Sequence, residues 1–289
     1  MIRLWSKSQI LNPAFCFLTI TSASVAFGQA SYGDAVGKAL ISAIVPANER
    51  SAWKPVGYPT DNFGIGTLYD GKGAGSLLCA TSTCLGLADG KTETLRQAGY
   101  IEAGTGGSIT LTDTQKQSLG LNLVLKLFAI LNLTGKYDSS KSTIVDVTVS
   151  SATVRNLIKG KLSAHIESAP PTPATKDAYD KRRIRAIASD IVVESLTTTV
   201  KIDNSADASV TATLDNGVGS VLAKDSSLGV SYTKGVSGNY VIKVSGPVIV
   251  AVAPLAQKKT TTLEAEKSAS WEDWQPDTSL ALKTDAPKQ

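Results

Sequence analysis

The sequence predicts a mainly β, β-rich α+β fold: an antiparallel sheet or sandwich with long amphipathic strands, an N-terminal helix and one or two short helices. Three observations carry this. Every odd position from Leu119 to Leu133 is leucine or alanine, a period of two that suits a strand with one continuous apolar face, whereas a helix would scatter those residues around its circumference. The segment 182–202 is rich in β-branched residues, with Val192, Leu196, Val200 and Ile202 on one face and Ile187, Ile191 and Val193 on the other, a change of face that implies a bulge. Shorter alternating runs at 209–214, 228–232, 239–245 and 248–253 are separated by turn residues such as Asp215-Asn-Gly217 and Gly246-Pro247, the spacing of successive antiparallel strands.

The chain has 289 residues, 42% of them hydrophobic, 19% charged and 6% aromatic, a globular composition rather than a disordered or polytopic one. Residues 1–30 read as a signal peptide: a basic start at Arg3 and Lys7, an apolar stretch over 14–27, and Gly28 and Ala30 ahead of a cleavage point. The apolar stretch is interrupted by Thr19, Thr21, Ser22 and Ser24, too polar for a spanning helix of about 20 apolar residues. Residues 31–50 form the N-terminal helix, with Val36, Leu40, Ala43 and Ile44 at helical spacing, a cap at Ser31 and Asp34 and a stop at Pro46. The β-rich main domain occupies 51–257 and a polar C-terminal tail 258–289.

Within the main domain, 53–107 is rich in glycine and turn residues and predicts loops and short strands, with one short helix over 92–98 stopped by Gly99. After the leucine strand, 136–142 is a polar turn and 144–149 its hairpin partner, with Val145, Val147 and Val149 on one face. A short helix then runs from a cap at Ser150 or Ser151 through Val154, Leu157 and Ile158 to Gly160, and 161–167 is a further short strand. The proline-rich 168–175 is an exposed loop, because proline lacks a donor for continuous sheet pairing.

Export fixes the reading of the cysteines. Loss of the leader removes Cys16 and leaves Cys79 and Cys84 in Cys-Ala-Thr-Ser-Thr-Cys, an even pair that reads as a disulfide in an oxidising compartment. The formal charge of +4 loses Arg3 and Lys7 with the leader, so net charge implies no polyanionic partner, and export removes the chain from nucleic acid.

The chemical motifs are few. Gly66-Thr-Leu-Tyr-Asp-Gly71-Lys72-Gly73 falls one residue short of a phosphate-binding loop, because Gly73 stands where a metal-binding Ser or Thr is required. Ser51-Ala-Trp-Lys54 and Ser231-Tyr-Thr-Lys234 have the spacing of penicillin-binding serine enzymes without the accompanying signatures. His165 is the single histidine, which leaves two thiols short of a metal set. No catalytic, cofactor-binding or metal-binding residue is assigned, and no cofactor is expected.

Two groups remain. Lys181, Arg182, Arg183 and Arg185 form the densest positive cluster, suited to an anionic surface such as lipid phosphate or cell-surface polysaccharide, or else a solvated strand end balanced by Asp177 and Asp180. Trp271 and Trp274 are large aromatics in a polar tail, placed to dock on the body or to contact a partner.

The layout of two long amphipathic strand regions separated by a short helix and a proline-rich loop resembles that of membrane-inserting pore formers such as the gasdermins, with no motif in common. The leading expectation is an exported, non-enzymatic envelope or secreted protein with a binding or structural role, periplasmic or extracellular, whose partner is a cell-envelope component or membrane surface. The resemblance implies the alternative, a pore-forming or membrane-associated protein. An unrecognised hydrolase is third.

Overall fold

The computed structural model describes residues 32–58, 61–72, 75–101, 111–117, 119, 145–201, 230–234, 239–258, 274–280 and 282. In chain order these contain α1 (Tyr32–Ile44), β1 (Lys54–Tyr58), β2 (Leu68–Asp70), β3 (Ser76–Cys79), α2 (Thr81–Leu85), α3 (Thr92–Gln97), β4 (Val145–Asn156), α4 (Lys159–Ser168), α5 (Pro173–Asp180), β5 (Ile184–Lys201), β6 (Val230–Lys234), β7 (Asn239–Gln257) and β8 (Trp274–Pro276). The strands form one antiparallel eight-stranded sheet in the order β1-β7-β5-β2-β3, with β4 paired to β5 and both β6 and β8 paired to β7. The β-rich α+β class expected from the sequence is the class observed. Residues 1–31, expected to include a signal peptide, and the segments 120–144 and 202–229 lie outside the described residues.

The β5–β7 ladder is the axis of the sheet, running from Arg185↔Ala256 to Lys201↔Asn239. At about 3.3 Å per residue the 18 and 19 residues of these strands span roughly 60 Å, well beyond the usual five or six residues. The bulge expected in β5 is present: its register against β7 shifts between Ile187 and Ser189, Ile191 and Val192, and Val193 and Ser195. Ile191, Val192 and Val193 are all buried, as in a central strand covered on both faces.

On one face Val192, Ile249 and Val252 join a core with Ile65, Leu68, Leu95, Leu162, Ile166 and Tyr179. On β1 and β7 lies α1, and Gly37 is what lets it come close: a Cβ there would stand 2.0 Å from the carbonyl oxygen of Val250. Leu40 and Val36 are buried beneath it, consistent with the helical spacing of its apolar residues.

One buried ion pair ties the sheet to the loops. Arg155 on β4 donates through Nε to Asp190 Oδ1 at 2.8 Å and through Nη2 to Asp190 Oδ2 at 2.5 Å, and its Nη1 donates to the Gly90 carbonyl at 2.7 Å. The Ile65 N–H donates to the same Asp190 Oδ2 at 2.9 Å. Both side chains are fully buried, and because Arg155 and Asp190 are cross-strand partners, the pair fixes the β4–β5 register as well as the two loops. A Cβ on Gly64 would lie 2.0 Å from Asp190 Oδ2, so only glycine fits where that loop passes.

Several local expectations are corrected. The helix expected between Ser150 and Gly160 is strand: β4 continues to Asn156 because its β-branched residues suit a sheet and Arg155 meets Asp190 on the neighbouring strand. The strand expected over 161–167 is helix α4, whose Leu162 and Ile166, four apart, are buried on one side. The loop expected over 168–175 gives way to α5, where Thr172 accepts from the Thr175 N–H and Pro173 occupies the first turn, the position at which proline's missing donor costs nothing. The two strands expected on either side of Gly246-Pro247 are the single strand β7. Pro247 is tolerated because it sits between Ser195↔Ser245 and Val193↔Val248, where the register shifts, and a Cβ on Gly246 would come within 2.1 Å of the Val193 carbonyl oxygen.

The leucine strand is described only at Leu119, which is helical, as are 113–117. A capping box explains the start: the Thr112 N–H donates to Gln115 Oε1 and the Gln115 N–H to Thr112 Oγ1, and Gln115 Nε2 also donates to the Ala43 carbonyl in the last turn of α1. The rest of the pattern, to Leu133, lies outside the described residues.

Candidate functional site: a cation-lined cavity at the sheet end

A cavity of about 530 Å³ opens where the start of β5, the end of β7 and β8 meet, lined by Arg182, Arg183, Arg185, Gln257, Lys258 and Asp277 among others. Sheet pairing builds it. Arg185 stands opposite Ala256, Gln257 opposite Trp274, and Ala256 opposite Gln275, so β8 extends the sheet over the end of β7 and carries Asp277 to the rim.

The four cluster residues have different surroundings. Lys181 is exposed and paired with Asp177 at 2.5 Å. Arg183 is paired with Asp70 at 3.1 Å and Asp177 at 2.9 Å, and hydrogen bonds from Lys181 and Arg183 hold the Asp177 carboxyl below the usual carboxylate range. Arg185 Nε lies 3.2 Å from Asp277 Oδ2. Asp180 is paired with Lys176. Thus Asp177 answers part of the cluster's charge, while Arg182, Arg183 and Arg185, without Lys181, line the cavity together with Lys258.

Arg182 owes its position to the end of α5. Its φ of 51° is left-handed, the Arg182 N–H donates to Tyr179 O at 2.9 Å and the Arg183 N–H to Ala178 O at 2.8 Å, the bonds of a Schellman cap. A non-glycine residue there costs roughly 1–2 kcal/mol. Arg182→Gly is therefore expected to leave stability unchanged or raise it by up to about 1 kcal/mol, read by urea denaturation, while deleting one cation from the cavity.

Sequence reading missed the other wall. Asp277 Oδ1 accepts from the N–H and Oγ of Ser279 at 2.8 and 2.7 Å and from the Leu280 N–H at 3.2 Å. Pro276-Asp277-Thr-Ser279 carries the signature of such an Asx turn, hidden inside a tail read only as polar. Lys54 Nζ straps the same turn by donating to the carbonyls of Thr278, at 2.8 Å, and Leu280. Burial lowers the Lys54 pKa, Asp277 opposes that and Arg185 adds to it.

Trp274 is buried, and its Nε1 donates to Ser163 Oγ at 3.2 Å, so this tryptophan packs on α4; Trp271 lies outside the described residues. The Cys79 and Cys84 sulfurs are at disulfide distance, 2.03 Å, joining the end of β3 to α2. Replacing both by alanine is expected to cost about 2 kcal/mol for so short a loop, measured as a shift in the urea midpoint. The remaining motifs have structural surroundings. Within the glycine-rich segment, Leu68–Asp70 is strand β2 rather than an anion-cradling loop before a helix. Ser231 is exposed on β6, Ser51 lies in a one-turn helix, and the His165 ring stands edge-on to Tyr100 at 6.0 Å. Among the described residues no helix is long and apolar enough to cross a membrane.

No protein family model matches the chain, and no curated protein matches it. Among solved structures, a bacterial gasdermin from Bradyrhizobium tropiciagri is similar over 79% of this chain and 88% of that one, at 12% sequence identity and a TM-score of 0.36. A likeness at that level assigns neither family nor activity.

Proposed function

We propose that this is an exported, non-enzymatic β-rich protein of the cell envelope or its surroundings that binds an anionic group. The observation that supports it is the convergence of Arg182, Arg183, Arg185 and Lys258 on one concave surface, held by a Schellman cap, a strand pairing and an Asx turn rather than by mobile side chains alone. The Cys79–Cys84 pair suits an oxidising compartment. Mass spectrometry of native protein is expected to find an N-terminus at or near Ser31.

The second reading, a pore-forming or membrane-associated protein, is favoured by β5 and β7, whose 18 and 19 residues exceed the roughly 9–11 of a membrane-spanning strand. One experiment separates the two. Incubated with dye-loaded vesicles of anionic phosphatidylglycerol or neutral phosphatidylcholine, the purified chain is expected to associate with the anionic ones, to release on raising salt, and to cause no leakage. Leakage transfers the assignment to a pore former. Association with neither vesicle overturns the anionic-surface reading.

A further inference from the structure

We infer that a phosphate group seated in this cavity controls the carboxy-terminal segment: when bound it fastens residues 274–280 to the sheet, and when it leaves, the segment opens more readily. The inference rests on the anion-binding reading above and adds a regulation of the same site.

Two stretches of chain share the cavity, and they are held very differently. Arg182, Arg183, Arg185 and Lys258 line it from one side, Gln275, Pro276, Asp277 and Ser279 from the other. The first side continues into the β5–β7 ladder, which runs unbroken in pairing partners from Arg185↔Ala256 to Lys201↔Asn239. The second is paired to β7 through Leu255↔Pro276, Ala256↔Gln275 and Gln257↔Trp274, and is pinned by three buried side chains, Trp274, Asp277 and Leu280. Between those anchors Gln275, Pro276 and Ser279 are exposed, and these are the residues the segment turns to the cavity. Among the described residues β8 pairs with β7 alone. A short piece held along one edge opens locally without breaking the ladder beneath it.

The sign of the coupling follows from where the charges lie. All four cations belong to the fixed side, and the segment brings one charge to the cavity, Asp277. That carboxylate is turned inward. Its Oδ1 accepts from Ser279 and Leu280 in its own turn, and its Oδ2, 3.2 Å from Arg185 Nε, is buried. An entering anion therefore does not displace Asp277 from Arg185. It sits against the remaining cationic wall and beneath Gln275 and Ser279, adding contacts to the docked segment rather than competing with those that hold it.

Opening removes one side of the cavity and leaves the cations on an open strand end, where water and salt weaken their hold on an anion. The docked form therefore binds the anion more tightly than the open form. Linkage makes the effect mutual: an anion that favours the docked form holds the segment down by a factor that grows with its concentration over its dissociation constant. A phosphate group suits this role, because its charge of about −1.5 to −2 and its several acceptor oxygens allow contact with both sides at once.

Amide hydrogen exchange of the full chain tests this, after calorimetry has given the affinity for pyrophosphate. With pyrophosphate at about thirty times its dissociation constant, and sodium chloride of equal ionic strength as the control, exchange over residues 274–282 is expected to slow at least tenfold. Exchange over α3, which does not line the cavity, is expected to stay unchanged. Leu280→Ala removes an anchor that lies outside the cavity lining; it is expected to speed exchange in the segment, and pyrophosphate to restore most of its resistance to proteolysis near residue 277. If that variant does not fold, the wild-type exchange decides. The same protection by phosphatidylglycerol vesicles supports the inference with a lipid headgroup as the source, and protection by pyrophosphate alone supports it with a soluble one. Binding of pyrophosphate or vesicles with exchange over 274–282 unchanged or faster overturns this inference and leaves the anion-binding reading standing. Binding of neither overturns both.

Discussion

Arg155→Ala is expected to destabilise the protein by about 3–5 kcal/mol, the largest effect of any single substitution considered, because it leaves the Asp190 carboxylate buried without its charged partner. The loss reaches beyond one ion pair. Asp190 still receives the Ile65 N–H, but the Gly90 carbonyl loses its donor from Arg155 Nη1, so both loops that the pair gathers are weakened together. Arg155→Met with Asp190→Leu removes both charges in side chains of similar length, and is expected to recover part of the loss in chemical denaturation, since an apolar pair incurs no charge burial. The Gly90 carbonyl and the Ile65 N–H then lose their partners, which limits the recovery.

Leu280→Ala is expected to cost about 2–5 kcal/mol, the range for a buried leucine, although the residue belongs to a segment whose composition reads as a polar tail. Leu280 has no exposed surface and belongs to the same core as Leu68 and Ile184. A Cβ on Gly75 would lie 2.6 Å from Leu280 Cδ1, so the leucine fills its space without slack. Thermal melting should register the loss, and limited proteolysis should then cleave near residue 277 faster than in the wild type. A Leu280→Ala protein as stable as the wild type would mean that the tail contributes nothing to the fold.

How much of this was legible in the sequence depends on the range of the interaction that decides each element. The N-terminal helix, the short helix stopped by Gly99 and the bulged strand over 182–202 were readable because apolar periodicity and turn residues sit within each segment. Where a partner distant in sequence decides, local reading failed. Val154, Leu157 and Ile158 have helical spacing, yet Arg155 pairs with Asp190 thirty-five positions away and the segment is strand up to Asn156. Pro247 reads as a strand end because nothing in its neighbours reveals that the opposite strand bulges there. In α4 and α5 the signals were local but weak, two buried residues four apart and a Thr-Pro cap.

The candidate site divides along the same line. Its cationic wall, Arg182, Arg183 and Arg185, was visible within a run of four positive charges over five residues that begins at Lys181. Its opposite wall, Gln257, Lys258 and Asp277, was invisible because β8 brings residues from beyond position 273 onto the end of β7, and no pattern in 258–289 announces that pairing. Nor does charge density distinguish Lys181, which lies outside the cavity lining, from Arg182, which belongs to it; the Schellman geometry that ends α5 does.

The central claim is that this cavity is the surface through which the protein meets its anionic partner, and the Arg182→Gly, Lys258→Ala double variant tests it most directly. Arg182→Gly relieves a left-handed backbone and Lys258 is exposed, so the variant should remain folded, which a cooperative thermal melt checks. In co-sedimentation with phosphatidylglycerol vesicles at low salt, its association is expected to fall at least tenfold. A folded double variant that sediments as the wild type does would contradict the claim and place the binding surface elsewhere on the molecule.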